Sequence, residues 1–145
     1  MIKSILQSTG SLLLALVVAI ILLAGIEGVS AIVHPFPPDF GGTRDEVAQH
    51  VANYPTWVLV SLGSVGWGIT IFVASWMTTR LGTRRHPAHG AGLGLLLFAG
   101  AIFNMAMLPY PLWYWVLELI TLPAGIYFGV KIGQGISTAG NETHV

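Results

Sequence analysis

Four stretches of the chain stay apolar for about the twenty residues that cross roughly 30 Å of hydrocarbon as a helix. They are residues 11–33, 56–78, 91–108 and 112–132. None alternates apolar with polar positions, as a barrel strand between lipid and a lumen must. Backbone amides in lipid find no water, so each run has to close its hydrogen bonds within itself. The pattern predicts an all-α integral membrane four-helix bundle, one transmembrane domain over residues 1–145. The first run exceeds the ~7–15 residue apolar core of a signal peptide. Lys3 and Val29-Ser30-Ala31 are therefore read as parts of a retained helix, not as a cleavage signal.

The polar interruptions carry their own local code. Residues 34–55 form the longest. His34-Pro35-Phe36-Pro37-Pro38-Asp39 cannot continue a helix, because proline lacks the amide donor and clashes with the preceding turn. Thr43-Arg44-Asp45-Glu46 then has capping-box spacing, with Thr43 as N-cap and Glu46 reaching back. A short interfacial helix from about Arg44 to Asn53 is predicted in this outer loop. Pro109-Tyr110-Pro111 is so short a connection that the third and fourth helices must form an antiparallel hairpin. The stretch after Gly133 is small and polar and is expected to fray.

Charge sets the expected orientation. If the helices alternate, Lys3, Arg80, Arg84, Arg85 and Lys131 fall on one side, and Arg44 alone on the other beside Asp39, Asp45 and Glu46. Basic residues collect on the cytoplasmic side, which predicts a bacterial inner-membrane protein with both ends of the chain inside. Only 8% of residues are charged, against about 25% in a soluble domain, so a water-facing fold is excluded. The formal net charge is zero, and no basic patch points to nucleic acid. The absence of cysteine removes disulfides, thiolate metal sites and a thiol nucleophile.

Helices in lipid associate through small residues that let backbones approach. Gly125, Gly129 and Gly133 share one face of the fourth helix, Gly90 and Gly94 one face of the third, and Ser64 and Gly68 one face of the second. The spacing suits contacts within the bundle or between copies in a homo-oligomer. Tyr54, Trp57, Tyr110, Trp113, Tyr114 and Trp115 gather at the outer ends and Trp76 at the inner end, as interface anchors do. Pro123 interrupts the fourth helix and frees a carbonyl near Leu119.

Two carboxylates stand inside the spans, Glu27 and Glu118, with no Lys or Arg in the first span and none in the fourth before Lys131 at its inner end. Each costs about 2.5–3.5 kcal/mol near the bilayer centre on insertion scales. Glu27 lies eight residues before Pro35 and Glu118 seven after Pro111, so at 1.5 Å per residue both sit roughly 10–12 Å below the outer loops. Asn104 lies at roughly 8 Å by the same rule. His34 follows Glu27 by two turns on nearly the same face, and His50 on the short helix could reach down beside it.

One outer-leaflet layer of Glu27, Asn104 and Glu118 is therefore expected, with His34 above it and His50 beside it as further candidate ligand-binding residues, and four readings of it stay open. In the first, the carboxyls bond each other, Asn104 or a freed carbonyl and hold the bundle in register. In the second, the layer binds a cation, a proton or a small polar solute. In the third, the chain docks a partner subunit of a larger membrane complex through this layer or through the outer loop. Last, a metal-dependent or acid–base enzyme would use His and Glu as ligands, although no His-x-x-x-His or Glu-x-x-His pair is present. No cofactor is indicated. His86 and His89 flank Pro87 beside Arg84 and Arg85 and read as a solvated inner loop rather than a metal tract.

Gly92-Leu93-Gly94 and the run from Asn104-Met105 through Met107-Leu108-Pro109-Tyr110-Pro111-Leu112-Trp113 form an Asn-x-x-Met-Leu-Pro-x-Pro-x-Trp pattern. It resembles a group of small four-helix bacterial membrane proteins with no assigned activity. The resemblance covers about half the chain and departs in the second helix, at Trp67 and Trp76. It implies a shared fold and a shared polar layer around Glu27 and Glu118, and no function.

Overall fold

The computed structural model describes residues 2–135. The tail beyond them, with His144 and the fraying expected there, lies outside the described residues. The described chain is helical throughout, with no strand among the described residues. Four helices are long and apolar enough to cross a membrane: α1 (Ile2–Val33), α3 (Thr56–Leu81), α4 (Pro87–Met107) and α5 (Leu112–Gln134). A short α2 (Arg44–Ala52) lies between the first two.

Helix α1 starts at Ile2, well before the expected residue 11. Its first turns are polar but not idle. Gln7 Nε2 donates to Leu81 O at 3.0 Å, and Ser8 Oγ donates to Thr83 Oγ1 at 3.0 Å. Thr83 Oγ1 in turn donates to Ser4 O at 2.8 Å. These bonds occupy a carbonyl that the end of α3 leaves open, and they bring the start of α1 beside the Arg80, Arg84 and Arg85 connection. Gly135 reaches the same end, where a Cβ on it would lie 3.5 Å from Arg85 Nη1. Arg84 and Arg85 both take left-handed backbone, φ 55° and 50°, so that the chain reverses within a few residues. His86 then caps α4, its ring accepting from the Ala88 amide at 3.2 Å, with Pro87 at the first helical position.

The α2 end is built by the capping box that the sequence predicts. Thr43 Oγ1 accepts from the Glu46 amide at 3.3 Å, and Glu46 Oε2 accepts from the Thr43 amide at 2.8 Å. The Thr43 amide, and then the Thr43 hydroxyl donating to Oε2 at 2.8 Å, hold the Glu46 carboxyl below its ordinary value.

Towards the arginine end the bundle closes on glycine. A Cβ on Gly125, Gly129 or Gly133 would meet backbone oxygens of α3, those of Gly68 at 2.8 Å, Phe72 at 2.5 Å and Trp76 at 2.9 Å. Gly90 and Gly94 of α4 approach α3 in the same way, over Thr79 and Ser75. Ser75 Oγ and Thr79 Oγ1 are buried without a conventional partner. Each faces one of these glycines, in the geometry where Cα–H groups act as weak donors at helix contacts. Ala15 and Ala19 of α1 pack with Ala74 and Leu93, while Ile71, Ala101, Leu122 and Ile126 fill the space between α3, α4 and α5.

The α2 end of α3 departs from a regular helix. Leu59–Gly66 runs as a π-helix, a wider turn that proteins rarely use and often place at sites. Two adjacent residues of this segment, Gly63 and Ser64, both meet α5. A Cβ on Gly63 would lie 2.5 Å from the Tyr114 hydroxyl, and Ser64 bonds Glu118.

Candidate functional site

Between the wide segment of α3 and the ends of α1, α4 and α5 lies a cavity of about 260 Å³, roofed by α2. Four of the five candidate site residues line it: Glu27, His50, Asn104 and Glu118. Glu118 on α5 is 1% exposed. Ser64 Oγ donates to its Oε1 at 2.7 Å. The Thr121 hydroxyl lies 3.4 Å from Oε2, but its shorter bond goes to Leu117 O at 3.0 Å. An ionised carboxylate offers about four acceptor sites, and this one has a single short donor from the chain.

Glu27 and Asn104 also line the cavity and keep exposed surface, unlike the buried Glu118. Asn104 Oδ1 accepts from Tyr110 Oη at 3.4 Å. The layer is thus not closed by bonds among Glu27, Glu118 and Asn104. Glu118 turns to Ser64, and Asn104 turns to Tyr110. Three tyrosines complete the polar wall. Tyr110 and Tyr114 stack at 4.9 Å, and Tyr54 Oη accepts from Ser30 Oγ at 3.4 Å. Burial first, then Tyr54 and the two carboxylates, push the Tyr110 phenol well above its ordinary value. It therefore remains an O–H donor at any physiological pH.

His34 is the expected residue that the cavity lacks. It sits one layer out, stacked on His50 at 4.4 Å, and lines a neighbouring groove with Asp39, Glu46 and His50. The reason is Pro35, which ends the helical direction and turns the ring over α2 rather than down the span. Its Nε2 is buried without a partner. His50, 8% exposed, belongs to both spaces. It stacks on Phe36 at 4.1 Å and meets the edge of Tyr54 at 5.2 Å. Burial, and then the like charge of His34, hold His50 below the ordinary histidine value, so the His50 ring in the roof is neutral near pH 7.

The tyrosines and Ser64 are members that the sequence pattern assigned elsewhere. Tyr54, Tyr110 and Tyr114 read as interface anchors, and Ser64 as a packing residue. A usable signal existed in the four-residue spacing of Tyr114 and Glu118, which puts both on one face of α5. At the opposite end, His89 Nδ1 lies 3.2 Å from His86 O. Among the described residues no three His, Cys, Asp or Glu side chains come together as a metal site. No family model matches the chain, and no curated protein or solved structure matches it either. The resemblance carried by Asn104 to Trp113 therefore rests on those residues alone.

Proposed function

We propose that this chain is a multi-pass protein of the bacterial inner membrane, a four-helix bundle whose cavity binds a small cation or polar solute from the outer face. In this reading the α2 end faces outward and the arginine end lies in the cytoplasm. The observation that carries it is the lining. Two carboxylates from different helices reach one cavity, and no Lys or Arg lines it. Carboxylates without a basic partner are expensive in hydrocarbon unless they face water or bind something positive. The cavity adjoins the loop end and stops at Glu118. Beyond that residue Ile71 and Leu122 are fully buried, and the glycine contacts leave no room. Such a shape favours a site loaded from one side.

The test is thermal unfolding of the purified chain in detergent, across a panel of inorganic and organic cations and neutral polar solutes. A ligand at a hundred times its Kd stabilises the folded state by about 2.7 kcal/mol. A saturable rise in Tm that Glu118→Gln abolishes is the expected result. A folded protein indifferent to the whole panel would leave the layer a purely structural one.

One observation favours a second reading, docking of a partner subunit. Glu27 remains exposed on α1, and a neighbouring helix that supplied a donor would cover it. Under that reading Glu27→Gln weakens recovery of the intact complex from membranes and leaves the Tm of the isolated chain unchanged.

A further inference from the structure

The cavity's shape and chemistry narrow the ligand class. We infer that the cavity takes a small organic ammonium ion in preference to an inorganic cation, an inference that rests on the cation reading above.

The first argument is the supply of oxygen. A hard cation such as calcium replaces its water with about 6–8 oxygens at 2.3–2.6 Å. Here three of the oxygens on the wall are already turned to protein groups, Asn104 to Tyr110, the Ser30 hydroxyl to Tyr54, and one oxygen of Glu118 to Ser64. What remains is three carboxylate oxygens on two helices and the tyrosine hydroxyls, which stay O–H donors and make poor ligands for a hard cation. That suffices for an ammonium ion, whose charge is spread over N–H or N–CH groups and needs only one or two counter-charges.

The second argument is the wall between the carboxylates. Phe36, Tyr54, Trp67, Tyr110 and Tyr114 all line the cavity, and aromatic rings attract cations best where water is excluded, as in sites for quaternary ammonium groups. A metal ion that kept its water would gain little from such rings, whereas a methylated or alkylated ammonium packs its carbon against them. The third argument is size. At ~30 Å³ per water, a cavity of about 260 Å³ has room for about nine. That is ample for a small organic ion, far more than a bare metal ion fills, and below the ~300–1,000 Å³ of sites for drug-sized ligands.

The experiment is calorimetric titration of the full chain in detergent micelles with methylammonium, tetramethylammonium and choline chlorides. The neutral carbon isostere of choline, potassium chloride and calcium chloride are the competing arms. At least one ammonium ion should bind saturably, tenfold or more tighter than the isostere, and should withstand a hundredfold excess of either metal salt. Glu118→Gln should weaken it tenfold or more, while Gly100→Ala, outside the cavity lining, should not. The isostere and competition arms need only the unaltered chain, so a variant that fails to fold leaves the test intact. Displacement by potassium or calcium would overturn the ammonium class and leave the cation reading standing. Equal binding of the isostere would show that charge is not recognised and would sink both. So would the absence of binding by every ion to a folded chain.

Discussion

Ser64 on the wide segment of α3 donates its hydroxyl to Glu118 on α5 across 2.7 Å, and the two are 1% exposed each. Among the described residues this bond joins the most buried carboxylate to the π-helical stretch of α3. Ser64→Ala removes the donor and leaves the acceptor in place. Interhelical bonds in membrane proteins average about 0.6 kcal/mol, whereas a buried acceptor left unpaired costs ~1–3 kcal/mol. Glu118 also lines a cavity that can admit water, so a loss of about 1 kcal/mol in detergent unfolding is expected. No loss at all would mean that water already serves Glu118 and that Ser64 is incidental.

Gly129 and Gly100 should respond in opposite directions to the same added methyl. A Cβ on Gly129 would meet Phe72 O at 2.5 Å and Trp76 N at 3.1 Å, backbone atoms that cannot turn aside. Gly129→Ala should therefore cost about 1–3 kcal/mol, as overpacking does. Gly100, also in a long helix, has nothing within 4 Å of the same position. There, alanine should be neutral or gain up to ~1 kcal/mol from helix propensity. Equal Tm values for the two variants would mean that α3 and α5 are not in this close contact.

The parts that the sequence made legible are those that local chemistry decides. Thr43 and Glu46 write their capping box in four residues, the four apolar runs write the long helices, and Gly125, Gly129 and Gly133 write a contact face. What escaped was decided by partners distant in sequence. The polar start of α1 is helical because Ser4, Gln7 and Ser8 find Thr83 and Leu81, and a hydropathy pattern holds no trace of those bonds. The π segment is shaped where Tyr114 lies over Gly63, and nothing local in Leu59–Gly66 announces it. Matched depth brought Glu27, Asn104 and Glu118 to one cavity and set His34 above it, but it did not foresee that the ring would turn into the neighbouring groove. Depth counts residues along a helix, and Pro35 changes the direction of the count.

The chain contains no cysteine, so single cysteines can report sidedness. Asp45 on α2 and Ala88 at the start of α4 are both exposed, and neither makes a side-chain bond that the fold needs. With the arginine end inside, an impermeant maleimide applied to intact cells should label Asp45→Cys and spare Ala88→Cys until the membrane is opened. The reverse pattern would invert the proposed topology and put the cavity on the cytoplasmic face.

Protonation of His50 should loosen the roof over the cavity, and the sign follows from its surroundings. His50 faces His34, Phe36 and Tyr54, with Glu46 and Asp39 across the neighbouring groove. Burial and then His34 lower its pKa from the ordinary 6.5. Between the lowered value and 6.5 the unfolded chain binds more protons than the folded one, so stability rises with pH across that window. The contribution is complete above about pH 6.5 and is lost as pH falls through the window. Glu46, whose pKa is also lowered, loses its share only in more acid solution, as pH falls below the ordinary 4.5 and through its own lowered value. The two steps are therefore separable. Lowering the pH from about 7.5 to 5.5, the range in which histidine titrates, should reduce the Tm by a few degrees and raise the reactivity of a cysteine placed at Val51, which is 5% exposed beneath the stack. His50→Phe keeps the ring stack and removes the titration, so its profile should be flat over that range while its acid step remains. If His50→Phe retains the full pH dependence, the titrating group lies elsewhere and the stack over the cavity is not its sensor.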